Sequence, residues 1–221
     1  MNVKQKCALA ALEYIEDHTI IGLGGGSTIG YLIDYIKENE RKVKVVTPSL
    51  QTKLLCVSKG LEVLPTCTVD EIEVAFDGCD EVDEQLNALK SGGGIHTQEK
   101  LIAQMAKEYI LLADESKFVQ ALTYKHPVVL EILPESLALV LKKVKAFDGN
   151  AIVRTSKVKD GYTITDQGNF LIDVYFEPGQ DSCQLEEKLR RLAGVIDVSL
   201  FTSVVSKVLV ASESGVVVKS K

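Results

Sequence analysis

Four side chains able to move protons stand close together in the chain: Asp77, Asp80, Lys90 and Glu99. Asp77-Gly78-Cys79-Asp80-Glu81 follows the alternating apolar run Ile72, Val74, Phe76, which the pattern predicts to be a strand broken at Asp77-Gly78. Parallel sheets build their sites beyond the carboxyl ends of strands, so both aspartates are placed to converge on one ligand. Asp83 and Glu84 follow, so a solvated acidic loop is the bland alternative. A metal site is disfavoured, because no His or further carboxylate stands nearby at ligand spacing and the run does not match a calcium loop. Lys90-Ser91-Gly92-Gly93-Gly94 comes next, then Thr97-Gln98-Glu99-Lys100 at a predicted helix start. Consecutive glycines cost chain entropy unless the backbone must approach something closely. Glu99 falls in the first turn, where the helix dipole favours its ionised form, and an ionised carboxylate can act as a base. By itself Glu99 reads as an ordinary first-turn acid. The functional reading rests on glycines, Lys90 and Glu99 following paired aspartates.

A second group of residues has anion-binding character. Gly22-Leu23-Gly24-Gly25-Gly26-Ser27-Thr28 lies between a predicted strand and a predicted helix. Backbone N–H groups and a helix N-terminus there can face a phosphate, with the Ser27 and Thr28 hydroxyls adding donors. The run is not a Walker A loop, since no lysine precedes Ser27. It is not a dinucleotide fingerprint, since Ser27 stands at the sixth position and the next strand ends in Thr47-Pro48 with no acid for a ribose. A tight turn with a Ser/Thr cap is the competing account. Lys117, in Ala113-Asp114-Glu115-Ser116-Lys117, reads on its own as a surface lysine. Cys79 reads as a small packing residue. None of His18, His96 and His126 is given a catalytic role.

The elements that would position these groups follow from periodicity. Helices are predicted over Cys7–Ile15, around Ile29–Ile36, over Leu50–Lys59, and on one face formed by Leu101, Ile102, Met105, Ala106 and Tyr109. Strands are predicted at Thr19–Leu23, Val43–Val46, Ile72–Phe76 and Ile110–Ala113. This alternation implies an α/β fold with a doubly wound, mostly parallel, Rossmann-like sheet. The rhythm changes near His126-Pro127. Val128–Ile132, Glu135–Val144, Ala151–Thr155, Phe170–Phe176, Asp181–Leu192 and Val195–Phe201 read as strand, helix, strand, strand, helix, strand, with Thr163-Ile164 starting a hairpin. That order is a smaller ferredoxin-like α+β unit. Lys207–Ala211 and Val216–Val218 are two more strands, expected to rejoin the first sheet. The division is residues 1–126 with 202–221 as the catalytic α/β domain, and 127–201 as the small domain.

Composition bounds the partners. In 221 residues, 46% are hydrophobic and 25% charged, which supplies a core and argues against disorder. A formal net charge of -6 without a long basic run disfavours nucleic acid. No apolar run is long enough to span a bilayer, and Glu13, Glu16 and Asp17 interrupt any signal-peptide pattern. The 5 cysteines show no Cys-x-x-Cys spacing, so a reducing, cytoplasmic setting is expected, with neither disulfide framework nor zinc site.

Taken together, these motifs resemble the type A ribose-5-phosphate isomerases. The matching runs are Gly22–Thr28, Asp77–Glu81, Lys90–Gly94 with Thr97–Lys100, and Ala113–Lys117, with Asp166-Gln167-Gly168-Asn169 and Leu171-Ile172-Asp173 later. The resemblance implies interconversion of D-ribose 5-phosphate and D-ribulose 5-phosphate in the non-oxidative pentose phosphate pathway. It also implies an enediolate intermediate, a sugar phosphate as partner, a homodimer, and neither metal nor cofactor. It assigns the general base to Glu99 and the other catalytic groups to Asp77, Asp80 and Lys90. Substrate and phosphate binding would fall to Lys4, Gly25, Gly26, Ser27, Thr28, Gly78, Cys79, Ser91, Gly92, Gly93 and Lys117. Gly25 stands where the family usually has Thr, Cys79 where it has Ala, and Ser91 where it has Gly, while Thr47–Leu50 replaces a Ser-rich stretch. The rival readings are a non-catalytic sugar-phosphate sensor and another sugar-phosphate isomerase or deaminase on a related fold.

Overall fold

The structure, a computed structural model, describes residues 1–156, 158 and 160–221. The chain runs α1 (Val3–Leu12), β1 (Ile20–Leu23), α2 (Ser27–Glu38), β2 (Lys44–Val46), α3 (Leu50–Ser58), β3 (Glu62–Val63), β4 (Ile72–Gly78), β5 (Glu81–Asp83) and β6 (Ala88–Leu89). It continues α4 (His96–Met105), β7 (Ala106–Asp114), β8 (Phe118–Val119), β9 (Val128–Ile132), α5 (Leu137–Lys145), β10 (Asn150–Val153) and β11 (Phe170–Tyr175). It closes α6 (Ser182–Arg190), β12 (Val195–Val198), β13 (Leu200–Phe201), β14 (Lys207–Ala211) and β15 (Val216–Ser220).

A seven-stranded sheet has the order β15-β14-β7-β4-β1-β2-β3. All its pairings are parallel except β14 with β15. Both faces are covered, which is why β7 reads as the near-continuous apolar run Tyr109–Ala113. Ile110 and Leu112 pack with Leu32, Ile36 and Ala11 of α2 and α1, whereas Tyr109 and Leu111 pack with Ile102 and Ala103 of α4. The chain runs outward from β1 to β2 and β3, then returns to place β4 on the other side of β1. The crevice between the carboxyl ends of β1 and β4 is therefore the topological switch point, where open α/β sheets bind ligands. The two C-terminal strands do rejoin this sheet, β14 pairing with β7.

The smaller sheet has the order β10-β11-β9-β12 and is antiparallel throughout, with α5 and α6 between its strands as in a ferredoxin-like unit. Its core is Val128, Leu130, Val140, Val144, Ile172, Val174, Leu185 and Leu189. Ile164 forms an isolated bridge with Phe170, which places the expected hairpin. Among the described residues, no helix is long and apolar enough to cross a membrane.

Three readings change. Ala106 and Tyr109 belong to β7 rather than to the preceding helix, which stops at Met105; cross-strand pairing of Tyr109 with Ala75 overrides the helical spacing. The single strand expected over Val195–Phe201 is two strands in different sheets. Ser199 makes the break by accepting from Val129 N through its hydroxyl at 2.8 Å. Asp77-Gly78 does not end β4, because both residues still pair with β7. A third sheet, β13-β6-β5-β8, was not expected at all. Its strands are two or three residues long and carry no readable period.

Candidate active site

The switch-point crevice is built from loops whose glycines are steric requirements. Gly24 follows β1, and its N–H donates to Phe76 O at 2.8 Å. A Cβ there would lie 2.0 Å from Asp77 Oδ1, so only glycine lets β1 end beside the aspartate. Thr52 Oγ1 donates to Gly24 O at 2.7 Å and pins the loop from α3. Gly26, at φ 93°, turns the chain into α2 without a side-chain cap, which leaves the first N–H groups of that helix for a ligand. Lys4 Nζ reaches across from α1 and donates to Ser27 Oγ at 2.9 Å.

Two cavities meet at this loop. One, about 160 Å³, is lined by Lys4, Ser27, Thr28 and Lys117. The other, about 550 Å³, is lined by Asp77, Asp80, Lys90, Glu99 and Asp166. Gly25, Gly26 and Gly78 line both. The small one carries two ammonium groups, two hydroxyls and a helix N-terminus, a set that suits a phosphate. The larger one carries Asp77, Asp80, Glu99 and Asp166, while Asp114 is the one carboxylate among the residues lining the smaller. A phosphorylated molecule seated across the shared glycines would have its anionic end in one lobe and its neutral end in the other.

In the larger lobe Lys90 sits at the centre of the charges. Its ammonium lies 2.9 Å from Asp77 Oδ2 and 3.2 Å from Glu99 Oε1, with all three side chains almost wholly buried, and it donates to Gly78 O. Burial alone would favour loss of its proton, but the carboxylates of Asp77 and Glu99 outweigh that and raise the pKa. Asp77 also accepts from Tyr109 Oη at 3.1 Å and from Gly78 N at 2.8 Å. Glu99 is pushed up to about 8, first by burial and then by the Asp77 charge, with Lys90 opposing. Its Oε2 is buried and, among the described residues, has no hydrogen-bond partner. The site thus holds a carboxyl group poised to exchange a proton, one oxygen uncommitted, beside a permanent cation. That combination moves a proton while stabilising a neighbouring oxyanion.

The remaining expected residues are placed as follows. Asp80, half-buried, accepts from Gly92 N at 2.8 Å and so holds the glycine turn against the cavity. Gly92 and Gly93 line the cavity, and Gly93 and Gly94 adopt φ values of 72° and 74° that favour glycine. Cys79 lines the cavity, and burial pushes its thiol up to about 12, so it is a neutral wall rather than a nucleophile. Lys117 Nζ donates to Cys79 O at 2.7 Å. Ser91 stands apart: its hydroxyl donates to Pro127 O at 2.5 Å, away from the cavity lining. Sequence reasoning missed Tyr109 and Asp166 as parts of the site. Tyr109 was hidden by its helical spacing, whereas Asp166 was visible only as part of a run beside two further family-like residues. Among the described residues, no three His, Cys, Asp or Glu side chains group to hold a metal ion.

The protonation of Glu99 has a kinetic consequence. Were Glu99 to serve as a base, it would have to be ionised in the free protein, and kcat/KM would fall as pH drops below about 8 rather than below the ordinary carboxylate value of 4.5. Titrating kcat/KM between about pH 3 and 10, which spans both values, checks this. An acid limb centred near 4.5 would show that Glu99 is not the titrating group.

A buried acid–base cluster at the switch point of a doubly wound sheet, with an anion lobe alongside, defines a class: an enzyme-like α/β protein acting on a small phosphorylated molecule. The comparisons narrow it. The sequence profile of ribose 5-phosphate isomerase A (phosphoriboisomerase A) matches residues 44–215. Ribose-5-phosphate isomerase A of Pyrococcus furiosus is 40% identical over 98% of both chains. The structure of ribose 5-phosphate isomerase A from Methanocaldococcus jannaschii superposes with a TM-score of 0.92 at 36% identity, covering 99% of this chain and 98% of that one. A D-ribose-5-phosphate isomerase solved in complex with phospho-erythronic acid reaches a TM-score of 0.94 at 37% identity, over the full length of both chains. The chain belongs to the ribose 5-phosphate isomerase A family.

Proposed function

We propose that the protein interconverts D-ribose 5-phosphate and D-ribulose 5-phosphate through an enediolate, with Glu99 as the general base. The observation that carries this reading is the uncommitted, buried Glu99 Oε2 in the same cluster as the Lys90 ammonium. A sensor needs to bind its ligand but needs no such base. In the forward direction, Glu99 takes the proton from C2 of the open-chain aldose and returns it to C1, while the proton of the C2 hydroxyl passes to the C1 oxygen. Lys90 stabilises the developing oxyanion, and Asp77 holds Lys90 in place while Tyr109 and Gly78 N hold Asp77. Asp80, half-buried beside Gly92, is the carboxylate left to act on the ring hydroxyl during opening. The phosphate sits with Ser27, Thr28, Lys4 and Lys117. The same reading carries metal independence, a homodimer, a cytoplasmic setting and a place in the non-oxidative pentose phosphate pathway. It also makes residues 1–126 and 202–221 the catalytic domain and 127–201 the smaller one.

A coupled assay of ribulose 5-phosphate formation from ribose 5-phosphate, run after exhaustive chelation with EDTA, tests the reading. Turnover should persist; its absence, or its dependence on an added divalent ion, would overturn the carboxylate–lysine mechanism.

The phosphate lobe makes a separate prediction. Charge-assisted hydrogen bonds are worth roughly 1.5–3 kcal/mol each, so Ser27→Ala should lower kcat/KM for ribose 5-phosphate by about ten- to a hundredfold. Use of unphosphorylated ribose, already poor, should barely change. Equal fractional losses on both sugars would place Ser27 at the reacting carbons instead.

A further inference from the structure

The turn that carries Glu99 is not anchored by its own sequence. α4 begins after Ile95 with no side-chain cap hydrogen bond, although a capping side chain is the usual way to hold a first turn. The anchors come instead from the smaller sheet. Thr97 Oγ1, two residues before Glu99, donates to Glu131 Oε2 of β9 at 2.5 Å. Lys100, one residue after Glu99, donates through Nζ to Glu186 Oε1 of α6 at 2.7 Å, Asp197 Oδ1 of β12 at 3.0 Å and Val198 O at 2.7 Å.

Glu131 does more than hold Thr97. It is 2% exposed, and its Oε1 accepts from Thr165 Oγ1 and Asn169 Nδ2, both at 2.8 Å. Those two residues close the turn that presents Asp166 to the larger cavity; Thr165 N donates to Asn169 O at 2.9 Å across it. One buried carboxylate therefore ties together the base-bearing turn, the Asp166 wall of the cavity and the central strand pair of the smaller sheet. None of the ion pairs among the described residues involves Glu131; its bonds are all to neutral donors. Such a hub has two consequences. Its partners are fixed relative to one another, and removing one donor disturbs geometry more than charge.

We infer that Glu131 and Thr97 are positioning residues for the isomerisation, holding the Glu99 turn and the Asp166 wall in register across the cavity. This rests on the reading of Glu99 as the base. The smaller sheet thereby acts on the chemistry without touching the reacting atoms. The phosphate lobe is lined from α1, the glycine loop and start of α2, and the ends of β4, β7 and β14, and shares none of these bonds, so phosphate anchoring should be insensitive to them.

Thr97→Val removes the hydroxyl and keeps the volume, so the fold should hold; Thr97→Ser keeps the hydroxyl. A displacement of about 1 Å can cost on the order of a hundredfold in rate. Thr97→Val should lower kcat by about ten- to a hundredfold while KM for ribose 5-phosphate, and competitive inhibition by inorganic phosphate, stay within a few-fold. Thr97→Ser should restore most of the loss. Glu131→Gln, which can still accept from Thr165 and Asn169, should be milder than Glu131→Leu. The acid limb of kcat/KM should also move to lower pH in Thr97→Val, as a loosened turn lets solvent reach Glu99. The groups facing Glu99 are Asp77 of β4, Lys90 after β6 and Tyr109 of β7, and none of them is altered. A Thr97→Val protein with lowered thermal stability but wild-type kcat and an unmoved acid limb would reduce these residues to structural ones and overturn the inference. Absence of isomerisation by the wild-type protein would instead overturn the functional reading on which it rests.

Discussion

Glu99→Gln should abolish nearly all turnover while leaving a folded, ligand-binding protein. Positioned general bases contribute roughly a hundred- to ten-thousandfold in rate, and a glutamine amide cannot take the proton. The local structure tolerates the change. Glu99 Oε1 faces Lys90 at 3.2 Å, a contact the amide oxygen can keep, and Oε2 has no protein partner to lose. The side chain is buried and its carboxyl holds its proton up to about 8, so the neutral amide resembles the protonated acid already favoured there. Binding of phospho-erythronic acid, which a relative binds, should stay within a few-fold. Exchange of the C2 proton of ribose 5-phosphate with solvent deuterium, followed by NMR, is the sharper measurement. Wild-type exchange in Glu99→Gln would mean that another group, Asp77 or Asp80 first, is the base.

Lys90→Met should cost about two orders of magnitude or more in kcat, the scale of losing one preorganised oxyanion donor. Methionine keeps the length of the side chain and removes the charge. Here the fold is also at stake. Lys90 is the cation between Asp77 and Glu99, and breaking a buried ion pair by removing one partner costs roughly 3–5 kcal/mol. Without the ammonium Glu99 should hold its proton more tightly, so any residual activity should have its acid limb above that of the wild type. The double variant Lys90→Met/Asp77→Asn separates the two effects. It removes the unpaired charge and should recover thermal stability, yet turnover should stay low. Near-normal turnover in either variant would make the lysine structural.

Much of the chemistry is legible along the chain because the groups stand beside glycine runs, at the end of a readable apolar strand or at a helix start. The glycines at 24–26 and 92–94, the paired aspartates and Glu99 at a helix start all lie within short segments of defined period. Tyr109 was not legible, since Met105, Ala106 and Tyr109 fit a helical face as well as they fit a strand. Only the register with Ala75 in β4 decides between them and turns the phenol toward Asp77. Ser91 shows the converse: its place in the glycine run suggests ligand contact, but its hydroxyl is taken by Pro127.

By itself, then, the sequence determines the order of the longer helices and strands, the two-part α/β and ferredoxin-like architecture, and the residue types gathered around the switch point. Those are local properties, set by apolar period, turn residues and the need of a parallel sheet to be buried on both faces. The tertiary structure alone decides the surroundings of Glu99, the carboxylate proposed as the base, and what holds it still. Glu99 acquires its raised pKa from burial and from Asp77, which is 22 positions away in the chain (99 against 77). Thr97 meets Glu131, Lys100 meets Glu186 and Asp197, and β13 leaves one sheet for another at Ser199. These contacts join segments distant in sequence, so no local pattern encodes them; they exist only once the two sheets have packed against α4.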